Sequence, residues 1–219
     1  MEYFGVKLVD KGKSFKLTRD EFAQINTKPS LPRFTSLVQM NAYTDESGRT
    51  YAENWCREYR EVCLKNFDLN MKYYELLDKD EFVKSLEEFL NKNSEFVEVT
   101  DLNDFADVEG YYLMVLDEYK QVYLGQSCNI KKRVLQHWSK TKQFDRLLCP
   151  MYAWDKSVFS IDSFRAFDTT RIFVWKRRLY DGVEADLIWD IPMKFSSNRI
   201  GGDITSSIEA LLTMNRREL

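Results

Sequence analysis

Apolar and polar positions along this chain follow two different periods, and the change from one to the other organises it. Tyr3 to Val9 and Phe34 to Tyr43 are rich in strand formers, and Thr18-Arg19-Asp20-Glu21 has the form of a capping box opening a short helix with Phe22 and Ile25 inward. From Tyr51 to Leu90 apolar residues recur three and four apart. That spacing predicts helices over Glu53 to Leu64, Leu69 to Leu77 and Glu81 to Leu90, the last capped by Asp78 or Asp80. The segment TDLNDFADVE, Thr100 to Glu109, then separates the helical pattern from a strand-like run.

Past that seam the pattern is that of strands. Gly110-Tyr111-Tyr112-Leu113-Met114-Val115-Leu116, a turn at Asp117 to Lys120, and Gln121-Val122-Tyr123-Leu124-Gly125 read as a hairpin. A helix from Ile130 to about Lys140 follows, capped by Ser127 or Asn129, with Ile130, Val134, Leu135 and Trp138 as its buried stripe. Arg133 and His137 stand one turn apart on it and project from one side. Val158 to Phe164 and Thr170 to Lys176 read as strands. Asp181 to Trp189 reads as a short helix ended by Pro192, and Ser206 to Arg217 as a last helix. The whole predicts an α+β chain: a mainly helical N-terminal domain over residues 1–107, then over 108–219 a small antiparallel sheet of three or four strands flanked by helices.

Composition narrows the function classes. Of 219 residues, 44% are hydrophobic and 31% charged, which excludes a disordered or collagen-like chain. No window approaches the ~18 apolar residues of a membrane span, and charges near the N-terminus stand where a signal peptide needs an apolar stretch, so a cytoplasmic protein is expected. Cys56, Cys63, Cys128 and Cys149 form no CxxC pair, and one histidine cannot complete a zinc site, so free, buried thiols are expected. Residues 1–109 carry 15 Lys and Arg against 22 Asp and Glu; residues 110–219 carry 17 against 13. A polyanion contact therefore belongs to the C-terminal half.

That half resembles the GIY-YIG nuclease family. Gly110-Tyr111-Tyr112 stands for GIY and Tyr123-Leu124-Gly125 for YIG. Asn129-Ile130-Lys131-Lys132-Arg133 with His137 matches the family's N-[IL]-x-x-R-x-x-x-H helix. Glu184, with Ile188 four residues on and Asn198 beyond, fits the interval of the family's metal-binding glutamate. Glu209 is its rival, lacking an asparagine at that interval. Tyr111 replaces the usual isoleucine, and the resemblance leaves residues 1–109 unaccounted for.

The resemblance implies metal-dependent endonucleolytic hydrolysis of phosphodiesters in DNA. Glu184 would hold one Mg²⁺ or Mn²⁺ that keeps several waters, since Mg²⁺ uses only one or two protein carboxylates. Arg133 would clamp the scissile phosphate. Tyr112 is favoured as the base, with Tyr123 and His137 in support, and Asn198 would fix the chain around the glutamate or touch phosphate. Lys131, Lys132, Lys140, Lys142 and Arg177 form a basic track for the nucleic-acid backbone. Taken singly, each of these residues has a packing or capping explanation: tyrosines fill sheets, and Asp181-x-x-Glu184 and Ser206-x-x-Glu209 are themselves capping boxes. Their order and spacing together favour the site. Residues 1–107 would then position the nuclease through a protein partner, a homodimer contact or a DNA structure. The alternative is a non-catalytic nucleic-acid or protein-interaction module that keeps the fold.

Overall fold

The computed structural model describes residues 1–9, 14–23, 53–138 and 159–198. They form an α+β structure built on a four-stranded antiparallel sheet with helices on both faces. A hairpin of two-residue strands, β1 (Glu2–Tyr3) and β2 (Val6–Lys7), comes first, its turn made by Phe4 and Gly5 at φ of 47° and 69°. Positive φ at both central positions gives the turn the twist that two-residue hairpins need. The expected longer strand to Val9 is thus a tight turn with strand on either side.

Next come helix α1 (Arg19–Phe22), helix α2 (Glu53–Leu76) and helix α3 (Lys79–Lys92). Thr18 caps α1 by accepting from the Glu21 amide at 3.3 Å. The expected reciprocal bond of a capping box is replaced, because Glu21 accepts from the Ser14 amide at 2.7 Å. The two helices expected before Leu77 are one, and Asp78 caps α3, accepting from the Glu81 amide at 2.7 Å. The α3 stripe of Phe82, Leu86 and Phe89 is buried, as its period requires. Ile25, the Phe34–Tyr43 segment, Lys140, Lys142 and the last helix with Glu209 lie outside the described residues.

The main sheet runs β3 (Val97–Glu98), β6 (Arg171–Lys176), β4 (Gly110–Leu116), β5 (Gln121–Ser127). All seven residues of β4 are buried, the mark of a strand covered on both faces. Its register alternates the faces: Tyr112 sits opposite Gly125 and Val174, and Leu113 opposite Leu124 and Phe173. Leu113 and Val122 meet α3 and the segment near Ile191 and Phe195 around a small apolar cleft. The other face takes helix α4 (Ile130–His137) and the segment 159–168. Helix α5 (Val183–Trp189) follows β6, and Lys92 ties α3 to it through Asp190 at 2.6 Å. Among the described residues no helix is long and apolar enough to cross a membrane.

One expected strand is absent. Ser160 is extended and Ile161–Ser163 is a 3₁₀ turn, opened by Ser160, whose hydroxyl accepts from the Asp162 amide at 3.3 Å. Its alternation of apolar and polar residues serves packing instead: Phe159, Ile161 and Phe164 are all buried, with Phe159 stacked on Phe22 at 4.4 Å. Packing is also continuous across residues 107 and 108, the expected domain cut. Strand β3 pairs with β6, and one apolar core extends from Val6 to Phe195.

Of the cysteines, Cys63 is buried as expected, whereas Cys128 is exposed in the turn after β5. Burial pushes the Cys63 thiol up from 9.0 to about 12. Between those values the unfolded chain has lost a proton that the native state keeps, so stability falls with rising pH. Under reducing conditions the unfolding free energy is expected to decline above pH 9, by up to about 1.4 kcal/mol per pH unit from this thiol. It should decline faster beyond pH 10, where Tyr112, Tyr119 and Tyr123, all raised by burial, add to the slope. Denaturant titrations of wild type and Cys63→Ala from pH 8 to 11 measure the difference in slope.

Candidate functional site

The hairpin β4–β5 sets two tyrosines on one face. Tyr123 opposes Met114 in the register and Tyr112 opposes Gly125, so the two phenols lie on the same side, with the pair Leu113 and Leu124 between them on the other face. Their ring centroids are 6.2 Å apart. Gly125 makes room for Tyr112: a Cβ there would fall 2.5 Å from the phenol oxygen, closer than any packed atom tolerates. Gly110, at the start of β4, lies so close to the Trp175 carbonyl of β6 that a side chain would meet the neighbouring backbone. Both glycines of the two short motifs are thus set by close approach.

Helix α4 brings the next two residues. Asn129 is its cap, accepting from the Lys132 amide at 2.9 Å, while Ser127 steadies the turn by accepting from the Asn129 amide at 3.0 Å. Buried Ile130 and Val134 fix the rotation of the helix on the sheet. His137, 1% exposed, then points at the tyrosines, with Nε2 2.7 Å from the Tyr112 hydroxyl and its ring edge-on to Tyr123 at 5.1 Å. Its Nδ1 lies 2.7 Å from Oδ1 of Asp162, a residue that sequence reasoning missed. Arg133, one turn earlier, is solvent-exposed but turns its charge on both phenols.

Burial of Tyr112 lifts its phenol well above 10, an effect reinforced by Tyr123 and opposed by the charge and hydrogen bonding of Arg133. Burial likewise pushes Tyr123 up to about 12, again opposed by Arg133 and abetted by Glu184 and Asp162. Both hydroxyls are therefore neutral at pH 7. Glu184 stands in the first turn of α5, half-buried and in electrostatic reach of both phenols. The Asp181 capping box does not form; Gly182, at φ 83°, is the cap residue and makes no side-chain bond.

Asn198 bonds to the backbone of β5. Its Nδ2 donates to the Leu124 carbonyl at 2.7 Å and its Oδ1 accepts from the Leu124 amide at 3.0 Å. With Ser197, whose amide donates to the Val122 carbonyl at 2.8 Å, it closes the outer edge of β5 as another strand would. Tyr111 also has a structural part: its hydroxyl accepts from the Tyr180 amide at 3.1 Å and donates to the Tyr180 carbonyl at 3.3 Å. It anchors the loop that leads to Glu184.

The basic residues gather at the Gly110 end of the sheet. Lys131 is held by Asn103 at 2.7 Å and Lys132 is exposed. Arg177 is exposed and lies over Trp175 at 4.6 Å and Tyr180 at 5.5 Å, which holds its charge at the surface. Among the described residues no group of three or more His, Cys, Asp and Glu converges. The donor set thus does not suit an all-protein cage of the zinc kind. A partly exposed carboxylate such as Glu184 does suit a hard cation that keeps most of its waters.

Comparison with known proteins finds no matching family model, no matching curated protein and no matching solved structure.

Gly125→Ala is expected to force Tyr112 off His137 and to destabilise the fold by about 1–3 kcal/mol, the usual range for overpacking. Asn198→Ala should cost a similar amount, about 1–3 kcal/mol, by leaving two buried backbone groups of Leu124 unpaired. Denaturant unfolding gives both values. Of the two, Gly125→Ala alone should change the environment of His137 seen by NMR.

Proposed function

We propose that this chain is a metal-dependent endonuclease of the GIY-YIG type, hydrolysing phosphodiester bonds in DNA, with its catalytic groups in the C-terminal half. The observation that carries this reading is the convergence of Tyr112, Tyr123, Arg133, His137 and Glu184 from four elements upon one spot. Two phenols that share the reach of one cation, Arg133, and one carboxylate, Glu184, answer the needs of phosphodiester hydrolysis better than those of packing. Packing would be served as well by phenylalanine and leucine.

In this reading Glu184 would hold one Mg²⁺ or Mn²⁺, which would supply a Lewis acid for the phosphate and a more acidic water. Arg133, permanently charged and planar, binds the scissile phosphate and answers the charge that grows on its oxygens. A neutral buried phenol is a poor base alone. Tyr112 becomes an effective one because His137 stands 2.7 Å away to take its hydroxyl proton while the phenol oxygen receives one from water. Arg133 lowers the cost of any negative charge the phenol bears in passing. Tyr123 flanks the pair, its ring in edge contact with His137 at 5.1 Å. Lys131, Lys132 and Arg177, with Lys140 and Lys142, draw in the DNA backbone. Asn198 acts through β5, holding the strand that carries Tyr123. Residues 1–107 serve as the element that positions the nuclease, through a protein partner or a second copy.

The test is conversion of supercoiled plasmid to nicked and linear forms with Mg²⁺ or Mn²⁺. Glu184→Ala, Tyr112→Phe and Arg133→Ala are each expected to slow cleavage by roughly 10²–10⁴-fold, the range for general base and electrostatic groups. Glu209→Ala should cut normally. A wild-type protein that binds DNA and leaves plasmid, single-stranded and branched substrates intact would reverse the reading in favour of a binding module.

A further inference from the structure

Asp162 belongs to no motif in the sequence, yet its carboxylate lies 2.7 Å from Nδ1 of the chain's single histidine. We propose that Asp162 is a positioning residue that holds His137 in the tautomer protonated on Nδ1, leaving Nε2 bare to accept the hydroxyl proton of Tyr112. The tautomer stands on the geometry alone; its use in cleavage rests on the nuclease reading.

An ionised carboxylate can only accept hydrogen bonds, so the bond to Asp162 puts the proton on Nδ1. A neutral imidazole carries one N–H, so Nε2 then offers a lone pair and the Tyr112 hydroxyl is the donor across 2.7 Å. The other tautomer would set the Nδ1 lone pair against carboxylate oxygens. His137 is 1% exposed, so water offers little relief from that clash. Asp162 is itself held still. Its amide donates to the Ser160 hydroxyl at 3.3 Å, and the buried Arg165 donates to the carbonyls of Asp162, Ser163 and Phe164 at 3.2 to 3.3 Å. The Arg165 guanidinium also attracts the Asp162 carboxylate.

The chain of three groups then balances as a relay. Water gives a proton to the Tyr112 oxygen as its own oxygen bonds to phosphorus, and the phenol passes its original proton to Nε2. The ester bond breaks, the leaving oxygen takes a proton from solvent, and the imidazolium, paired with Asp162, returns its proton to solvent through the phenol. One water is consumed.

Because the chain has one histidine, its ring nitrogens give one set of signals in ¹⁵N-detected NMR, read at a pH where the ring is neutral. The wild type is expected to carry its proton on Nδ1. Asp162→Asn, of the same shape, should shift the ring toward the Nε2–H form. It should also lower kcat on plasmid by about a hundredfold or more while KM changes by less than about twofold. A proton on Nε2 in the wild type overturns the proposal, and so does an Asp162→Asn ring still in the wild-type tautomer. The wild-type spectrum decides even if the variant misfolds. The expected tautomers in a protein that cuts no DNA support the positioning role and overturn the nuclease reading alone.

Discussion

The contact on which the rest turns is that of the Tyr112 phenol with strand β5 and helix α4. A phenol in a fully buried strand is tolerable only if its hydroxyl is bonded, since an orphaned one costs about 1–3 kcal/mol. His137 answers that need, and it can do so only because Gly125 leaves the space through which the phenol reaches the helix. The glycine, tyrosine and histidine are therefore one constraint rather than three. It fixes how α4 lies on the sheet, and with it where Arg133 and the α4 lysines stand.

The opposite face explains why the first half of the chain belongs in any account of the site. A central strand buried throughout needs cover on both sides, and α3 supplies it through Phe82, Leu86 and Phe89 against Leu113 and Val122. Strand β3 extends the sheet beyond β6 in the same way. The acidic residues that suggested a seam near Asp107 instead make local bonds: Asp101 caps a 3₁₀ turn, Asp107 accepts from Asn129 and Glu109 from the Leu179 amide. A charged stretch between elements reads as a linker, but charge alone does not distinguish a linker from a set of caps.

The hairpin, the α4 cap and stripe, and the pairing of Arg133 with His137 were legible because each follows from a short period or a local cap. Asp162 was not. Its neighbours alternate apolar and polar as a strand would, and their burial owes nothing to a sheet; the aromatic cluster of Phe159, Phe164 and Phe22 takes them in. A signal was present in two parts. Ser160 two residues before an acid is a turn former, and a lone histidine on an otherwise apolar helix face must find partners on both nitrogens. Neither part names the other across 25 residues. Asn198 was chosen for its interval, and what the interval reflects is a reach back to the Leu124 backbone, a relation of topology rather than of chemistry.

Burial sets the two phenols apart in degree as well as in place. Tyr112 has no exposed surface, whereas Tyr123 is half-buried and is pushed only to about 12. The more deeply buried hydroxyl is the one bonded to the imidazole, and the one whose ionisation is hardest to reach unaided. A relay reconciles these facts, because a phenol that gives one proton as it takes another need never hold a full charge. Arg133 beside it offsets what partial charge it does hold, and Asp162 behind the imidazole does the same for the opposite charge. Depth of burial, which would disable an isolated tyrosine, thus favours one that works between two partners.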